Sequence, residues 1–320
     1  MYIYDTTVLR AAQQKIRCFS FKILKKLPLS LFSPVVFPFS LWYSDKNKSA
    51  EEREDAVLKD RVKSAVILVA VTAVCMPWAI TRILYFAVAG GLCAYEYSKN
   101  VEKLNARCTL WVMIVYLTAQ AVLAYLHMGL FLYVVCFIFC LYLSLFSGVL
   151  HKEVSGIGAL YTLAGMNYPC VLFGIILVIS VSDIWWQTLL TACLATWICD
   201  SAALFGGMRF GRHKLAPLVS PKKTVEGALC GLLSSILSGL LAYWILGMST
   251  PVSLRLCLLT AFLACVMGQI GDLAESLLKR MIGVKDFSNL IPGHGGVFDR
   301  ADSLLFSIPT VYLCFLVNGI

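Results

Sequence analysis

Between Gly271 and Ser303 the chain gathers Asp272, Glu275, Lys279, Arg280, Lys285, Asp286, His294, Asp299, Arg300 and Asp302 into one short segment. Asp272 and Glu275 are three residues apart, which puts them on one face of a helix, and Asp299 and Asp302 repeat that spacing. Two such acidic pairs at one membrane face could hold Mg²⁺, which takes one or two carboxylates and completes its shell with phosphate oxygens. Between the pairs, Gly293-His294-Gly295-Gly296 can turn backbone N–H groups toward an anion. A second loop offers cations: Arg209, Arg212 and Lys214, then Ser220-Pro221-Lys222-Lys223-Thr224. Adjacent basic groups beside small hydroxyls suit a polyphosphate by charge and by hydrogen bonding.

Each feature has a plainer explanation. Lysines and arginines in a loop can simply set membrane topology. Any single acid can be a salt-bridge partner of Lys279, Arg280 or Arg300. What topology does not require is acids at the membrane edge, and Asp200 and Glu226 stand there beside the basic loop. A charge near a bilayer core costs at least a few kcal/mol and usually marks a functional site.

The elements that must position these groups are apolar helices. The 320 residues are 59% hydrophobic and 14% charged, with a mean hydropathy of +0.80. Soluble domains carry about 25% charged residues, so the composition is that of an integral membrane protein. The fold class is all-α, a polytopic helical bundle. Runs able to cross a core of about 30 Å recur near 62–80, 82–98, 108–127, 129–149, 157–182, 187–206, 225–247, 253–274 and 301–319, which makes about nine. In the fifth, Gly156, Gly158, Gly165 and Pro169 can break the run into a short piece plus a span. A cytoplasmic N-terminus puts Lys99, Lys103, Arg107, Lys152, both basic loops and Arg300 on the cytoplasmic side. The other side is left with little beyond Arg82 and Arg255.

Residues 62–320 thus read as a membrane domain with its catalytic part at 200–303. Residues 1–61 read as a basic cytoplasmic extension, either an interfacial helix on an anionic surface or a solvated tail that includes translation from upstream of the native start. The net charge of +9 fits anionic lipid or nucleotide partners, but no basic stripe on a soluble domain is available for nucleic acid. The 13 cysteines sit mostly in apolar runs without Cys-x-x-Cys spacing, as small apolar fillers. Gly207/Gly211 and Gly227/Gly231 have a helix-packing spacing. Glu96 stands at the end of the second span as a cap or a pairing partner within the bundle.

Ser276-Leu-Leu-Lys279-Arg280 through Lys285-Asp286, Pro292-Gly293-His294-Gly295-Gly296 and Asp299-Arg300-Ala301-Asp302 closely resembles the signature of phosphatidate cytidylyltransferase, bacterial type. Asp200, Lys214-Leu-Ala-Pro217, Ser220-Pro-Lys222-Lys223-Thr224 and Glu226-Gly227 resemble that family's second block. Ser201-Ala202-Ala203, where the family often has Thr-Gly-Ala, and the N-terminal extension depart from its pattern. The resemblance implies a membrane enzyme, often dimeric, that transfers CMP from CTP to phosphatidate with Mg²⁺ and leaves open a second cation. It implies that Asp272 and Asp299 hold the metal, and that Asp286, Lys222 and Lys223 belong to the catalytic, nucleotide-handling site. Arg209, Arg212, Ser220, Thr224, Lys279, Arg280, His294, Gly295 and Gly296 are the expected substrate-binding groups. The expected location is the inner membrane, multi-pass, with the site facing the cytoplasm. Two other readings compete: a different CTP-using lipid enzyme such as a polyprenol kinase, which would release CDP rather than pyrophosphate, and a transporter. Transporters tend to place polar sites at the midplane between repeats, whereas these acids lie at one face.

Overall fold

The computed structural model describes residues 62–150, 156–247, 252–291 and 295–319; the extension 1–61, Lys152 and His294 lie outside the described residues. The chain is mostly helical: α1 Val62–Cys75, α2 Ala79–Val101, α3 Leu110–Tyr125, α4 Leu130–Leu150, α5 Gly156–Gly165, α6 Leu172–Ser180, α7 Trp185–Phe210, α8 Val225–Leu233, α9 Ser235–Leu246, α10 Leu254–Ile282 and α11 Phe298–Val317. Between α7 and α8 lies a two-stranded antiparallel hairpin, β1 Lys214–Ala216 and β2 Ser220–Thr224, which an all-α reading does not include. It forms because Pro217 follows Ala216 in a β-turn closed by Val219 N–H donating to the Ala216 carbonyl at 3.2 Å.

Among the described residues, six helices are long and apolar enough to cross a membrane, which makes this a multi-pass membrane protein. They are α4, α5 through α6, α7, α8 through α9, α10 and α11. Helix also occupies the three other stretches expected to cross, with a reason for each shortfall. Fourteen and sixteen residues, in α1 and α3, reach only about 21 and 24 Å at 1.5 Å per residue. The 23 residues of α2 carry Arg82, Glu96 and Lys99. The fifth run is one 25-residue span bent in the middle, where Met166–Val171 loosens to a π-turn and Tyr168 leaves helical geometry before Pro169.

Local signals set the ends of the helices that carry charge. Ser253 caps α10 by accepting from Leu256 N–H at 3.2 Å. Lys279 and Arg280 in its last turn suit the negative end of the dipole, and Gly283 at φ +81° stops it. Thr224 caps α8 by accepting from Gly227 N–H at 3.1 Å. On α11 the buried Leu305, Ile308, Val311 and Phe315 form one apolar stripe. Another face of α11 lies close on α10, where a side chain at Gly271 would meet the Asp302 carbonyl at 2.5 Å and one at Gly268 would meet Ser303 Cβ at 3.7 Å. The glycines of α7 and α8 do the same: a side chain at 227 would meet the Ala203 carbonyl at 2.7 Å, and one at 231 the Cys199 sulfur at 3.0 Å.

The helices sort their charged ends. The last turns of α2, α7 and α10 meet the first turns of α8 and α11 at one end of the bundle, because Asn100 bonds Phe287, Glu96 bonds Phe298 and Arg280 bonds Val219. At the other end Arg82, 6% exposed, donates from Nε to the Ser180 carbonyl at 2.9 Å and from its terminal nitrogen to Met76 and Pro77. It also lies 4.0 Å over the Trp185 ring. This guanidinium ties α1–α2 to the junction of α6 and α7. Arg82→Met would strand those carbonyls, so thermal unfolding should show a loss of about 1–3 kcal/mol.

Candidate functional site

The hairpin is held in place by acids and carbonyls, not by a core of its own. Glu226, in the first turn of α8, accepts from Arg212 N–H at 3.0 Å, from His213 N–H and from the His213 ring at 2.6 Å. At its tip, Arg280 Nε donates to the Val219 carbonyl at 3.0 Å. These anchors aim β2 across the end of α10, where the Lys223 ammonium forms an ion pair with Asp272. Each of these two side chains is about 30% exposed.

One turn beyond Asp272, Glu275 is fully buried. The Lys279 ammonium lies 2.5 Å from its Oε2 and donates to Asp299 Oδ1 at 2.9 Å. Asp299 Oδ2 accepts two backbone donors, Phe287 N–H at 2.9 Å and Gly296 N–H at 2.8 Å. A carboxylate accepting backbone N–H bonds and an ammonium is well compensated for its burial. The result is a closed triad, Glu275–Lys279–Asp299, at the junction of α10, α11 and the loop between them.

The expected acidic pairs are therefore re-sorted. Asp272 and Asp302 face a cavity of about 1620 Å³, together with Asp200, Lys222 and Lys223. The carboxylates of Asp200, Asp272 and Asp302 lie within reach of one another's charge. Lys279, Asp299 and Thr224 also line the cavity, although Thr224 Oγ1 is engaged as the cap of α8. From this charged end the cavity continues between α1, α2, α7 and α11, along Leu68, Tyr85, Val88, Leu189 and Trp197. One space thus joins a charged end to an apolar arm.

The remaining expected residues lie elsewhere. Arg209, Arg212, Arg280 and Asp286 are exposed and outside the cavity lining, and Ser220 is half-buried in β2 outside it. Gly295 N–H donates to the Ile291 carbonyl at 3.1 Å, and Gly296 N–H meets the protein's own Asp299. Those two amides serve the loop rather than pointing at a foreign anion. Asp200 and Asp302 deserve a place beside Asp272; their signal was an acid ending or beginning an apolar helix. Glu96 and Asn100 gave no local signal of the loop they bind.

Among the described residues no three His, Cys, Asp or Glu side chains converge as a metal cage. Mg²⁺ needs fewer protein ligands, so its fit turns on individual carboxylates. Asp272 fits: it is partly exposed on the cavity, with Lys223 and a long 3.4 Å contact from Ser276 Oγ as its partners. Asp299 would have to release Lys279 first, because both of its oxygens already accept.

A bundle that crosses the membrane and gathers acids and lysines around a cavity at one end defines a membrane protein suited to phosphate-bearing ligands. Comparison with known sequences narrows that class. The sequence model of the cytidylyltransferase family matches residues 59–317, and the chain belongs to that family. It is similar to the phosphatidate cytidylyltransferase of Bacillus subtilis (strain 168), 45% identical over 121 residues, which are 38% of this chain and 44% of that protein. The phosphatidate cytidylyltransferase of Staphylococcus haemolyticus (strain JCSC1435) is 38% identical over 128 residues, 40% of this chain and 48% of the relative. That of Staphylococcus epidermidis (strain ATCC 12228 / FDA PCI 1200) is 40% identical over the same shares. The chain thus spans a little under half the length of the curated relatives it matches.

The triad makes a stability prediction. Lys279→Met leaves two buried carboxylates facing each other, so unfolding should show a loss of about 3–5 kcal/mol. Adding Glu275→Leu should recover most of that loss. A Lys279→Met protein as stable as the parent would contradict the pairing.

Proposed function

We propose that this chain transfers the cytidylyl group of CTP to phosphatidate, giving CDP-diacylglycerol and pyrophosphate, at the cytoplasmic face of the inner membrane. The observation that carries the reading is the single cavity that joins Asp200, Lys223, Asp272 and Asp302 to an apolar arm between helices. Such a space suits a lipid whose phosphate must meet a nucleotide. Family membership and the names of the relatives support the same chemistry. The basic residues gathered at the cavity end, against the buried Arg82 at the other, support a cytoplasmic site and about nine crossings.

In this reading a phosphatidate oxygen attacks the α-phosphorus of CTP, the bond to the bridging oxygen breaks, and pyrophosphate leaves. No nucleophilic side chain is needed. The protein aligns two anions that repel each other and offsets charge as the bond forms. Lys222 and Lys223 line the cavity where the triphosphate would lie. Asp272 orients Lys223, and the triad keeps Lys279 beside the same space. Arg209 and Arg212, exposed at the rim, would draw the nucleotide in. Asp272 would hold Mg²⁺ together with phosphate oxygens, and Asp299 would share it on releasing Lys279. The ion, when bound, supplies neutralisation of the phosphates. A homodimer, the arrangement the resemblance implies, belongs to the same proposal.

The test is to supply purified protein with CTP, with and without phosphatidate and Mg²⁺, and to identify the products. Pyrophosphate and CDP-diacylglycerol should appear only with all three present. Lys223→Ala and Asp272→Ala should each lower kcat by roughly 10²-fold, the usual loss when a group stabilising developing charge is removed. Release of CDP with a phosphorylated lipid would make the protein a kinase. Solute transport without CTP turnover would make it a transporter.

A further inference from the structure

The first two turns of α11 carry Asp299, Arg300 and Asp302, which line the cavity. Its register on the bundle therefore sets the charged end. A helix start leaves backbone N–H groups without partners inside the helix, and they need an acceptor. At α11 the residue in the capping position is Val297, which has no side-chain oxygen to offer. The acceptor comes instead from α2, about 200 residues earlier in the chain. Glu96, 3% exposed, accepts from Val297 N–H at 3.0 Å through Oε1 and from Phe298 N–H at 2.9 Å through Oε2. A carboxylate at the positive end of a helix dipole is favourably placed.

The same carboxylate also accepts from Ser288 Oγ at 2.5 Å, so it grips the loop between α10 and α11 at its middle as well as at its end. One turn further along α2, Asn100 donates to the Phe287 carbonyl at 2.6 Å. The Phe287 N–H goes to Asp299, and its ring lies 4.6 Å from that of Phe298. Phe287 is thereby fixed by both backbone groups and by its side chain, immediately after Asp286. Gly296 makes the approach of Glu96 feasible, because a side chain at that position would meet Glu96 Oε2 at 2.6 Å.

We propose that Glu96, assisted by Asn100, is a positioning residue for the reaction. It sets the register of the first turn of α11, and through Asp299 the place of Lys279 at the cavity. It touches neither substrate nor metal in this account. The inference rests on the cytidylyl-transfer reading of the cavity, and two separate readouts keep the two apart.

Glu96→Gln preserves size but leaves one oxygen for three donors; Glu96→Ala removes both acceptors, and Asn100→Ala tests the second grip. The parent and each variant are purified in full length. Hydrogen exchange at residues 295–302 reports the clamp, and steady-state pyrophosphate release from CTP with phosphatidate and Mg²⁺ reports its consequence. In Glu96→Gln, exchange at Phe298 should quicken by about tenfold or more, as local opening becomes easier. Its kcat should fall by roughly 10²-fold, the loss that a misplacement of about 1 Å brings. KM for CTP should stay within about threefold of the parent, since a group acting only on the transition state leaves ground-state binding alone. A fold-maintaining role would reduce the yield of folded protein and leave kcat per folded molecule unchanged. Faster exchange with unchanged kcat, or lower kcat with unchanged exchange, would overturn the inference. Should Glu96→Ala fail to accumulate, Glu96→Gln and Asn100→Ala still decide it. A parent protein that makes no pyrophosphate at all would instead refute the cytidylyl-transfer reading.

Discussion

The carboxylate of Asp299 is the interaction on which the charged end of this protein depends. It is buried at the start of α11, where an unpaired charge would be costly, and it draws Lys279, Phe287 N–H and Gly296 N–H onto its two oxygens. Those bonds join the end of α10, the loop after it and the first turn of α11. Glu96 repeats the device from α2 on the neighbouring backbone donors. An irregular loop is thereby fixed by two acids together with the burial of Phe287 in the core.

The same requirement explains why some charges face the cavity and others do not. Lys279 is shared between Glu275 and Asp299, and Glu226 is committed to the Arg212 and His213 amides. Arg280 is spent on a carbonyl of the hairpin. Asp200, Asp272 and Asp302 with Lys222 and Lys223 face the cavity, beside Lys279 and Asp299 of the triad. In the proposed reaction the apolar arm of the same cavity would let a lipid approach from the side while the nucleotide arrives from water.

Much of the helical frame was legible in the chain, because apolar runs of bilayer length have few other ways to satisfy their backbone. Gly227 and Gly231 were legible too, as the close contact of α8 with α7. The acids were legible as a cluster but not as partners. Spacing of three residues grouped Asp272 with Glu275 and Asp299 with Asp302, yet it is Glu275 and Asp299, one from each pair, that share Lys279, while Asp272 pairs with Lys223. Helical spacing reports which residues share a face, and what packs against each part of that face comes from other elements. Glu96 and the loop it binds are separated by about 200 residues, so no local pattern could connect them. The hairpin escaped a helical reading because its turn depends on one proline in a short polar stretch.

The central claim is that the lipid phosphate and the nucleotide meet at the charged end of one cavity. Photolabelling tests it most directly, using phosphatidate with a photoreactive group close to the phosphate and mapping the labelled peptides with and without CTP. Labelling should fall on the stretches containing Thr196–Asp200, Lys222–Thr224 and Gln269–Leu273, and CTP should change its yield there. Labelling confined to the outer faces of helices such as α4, and indifferent to CTP, would contradict the account.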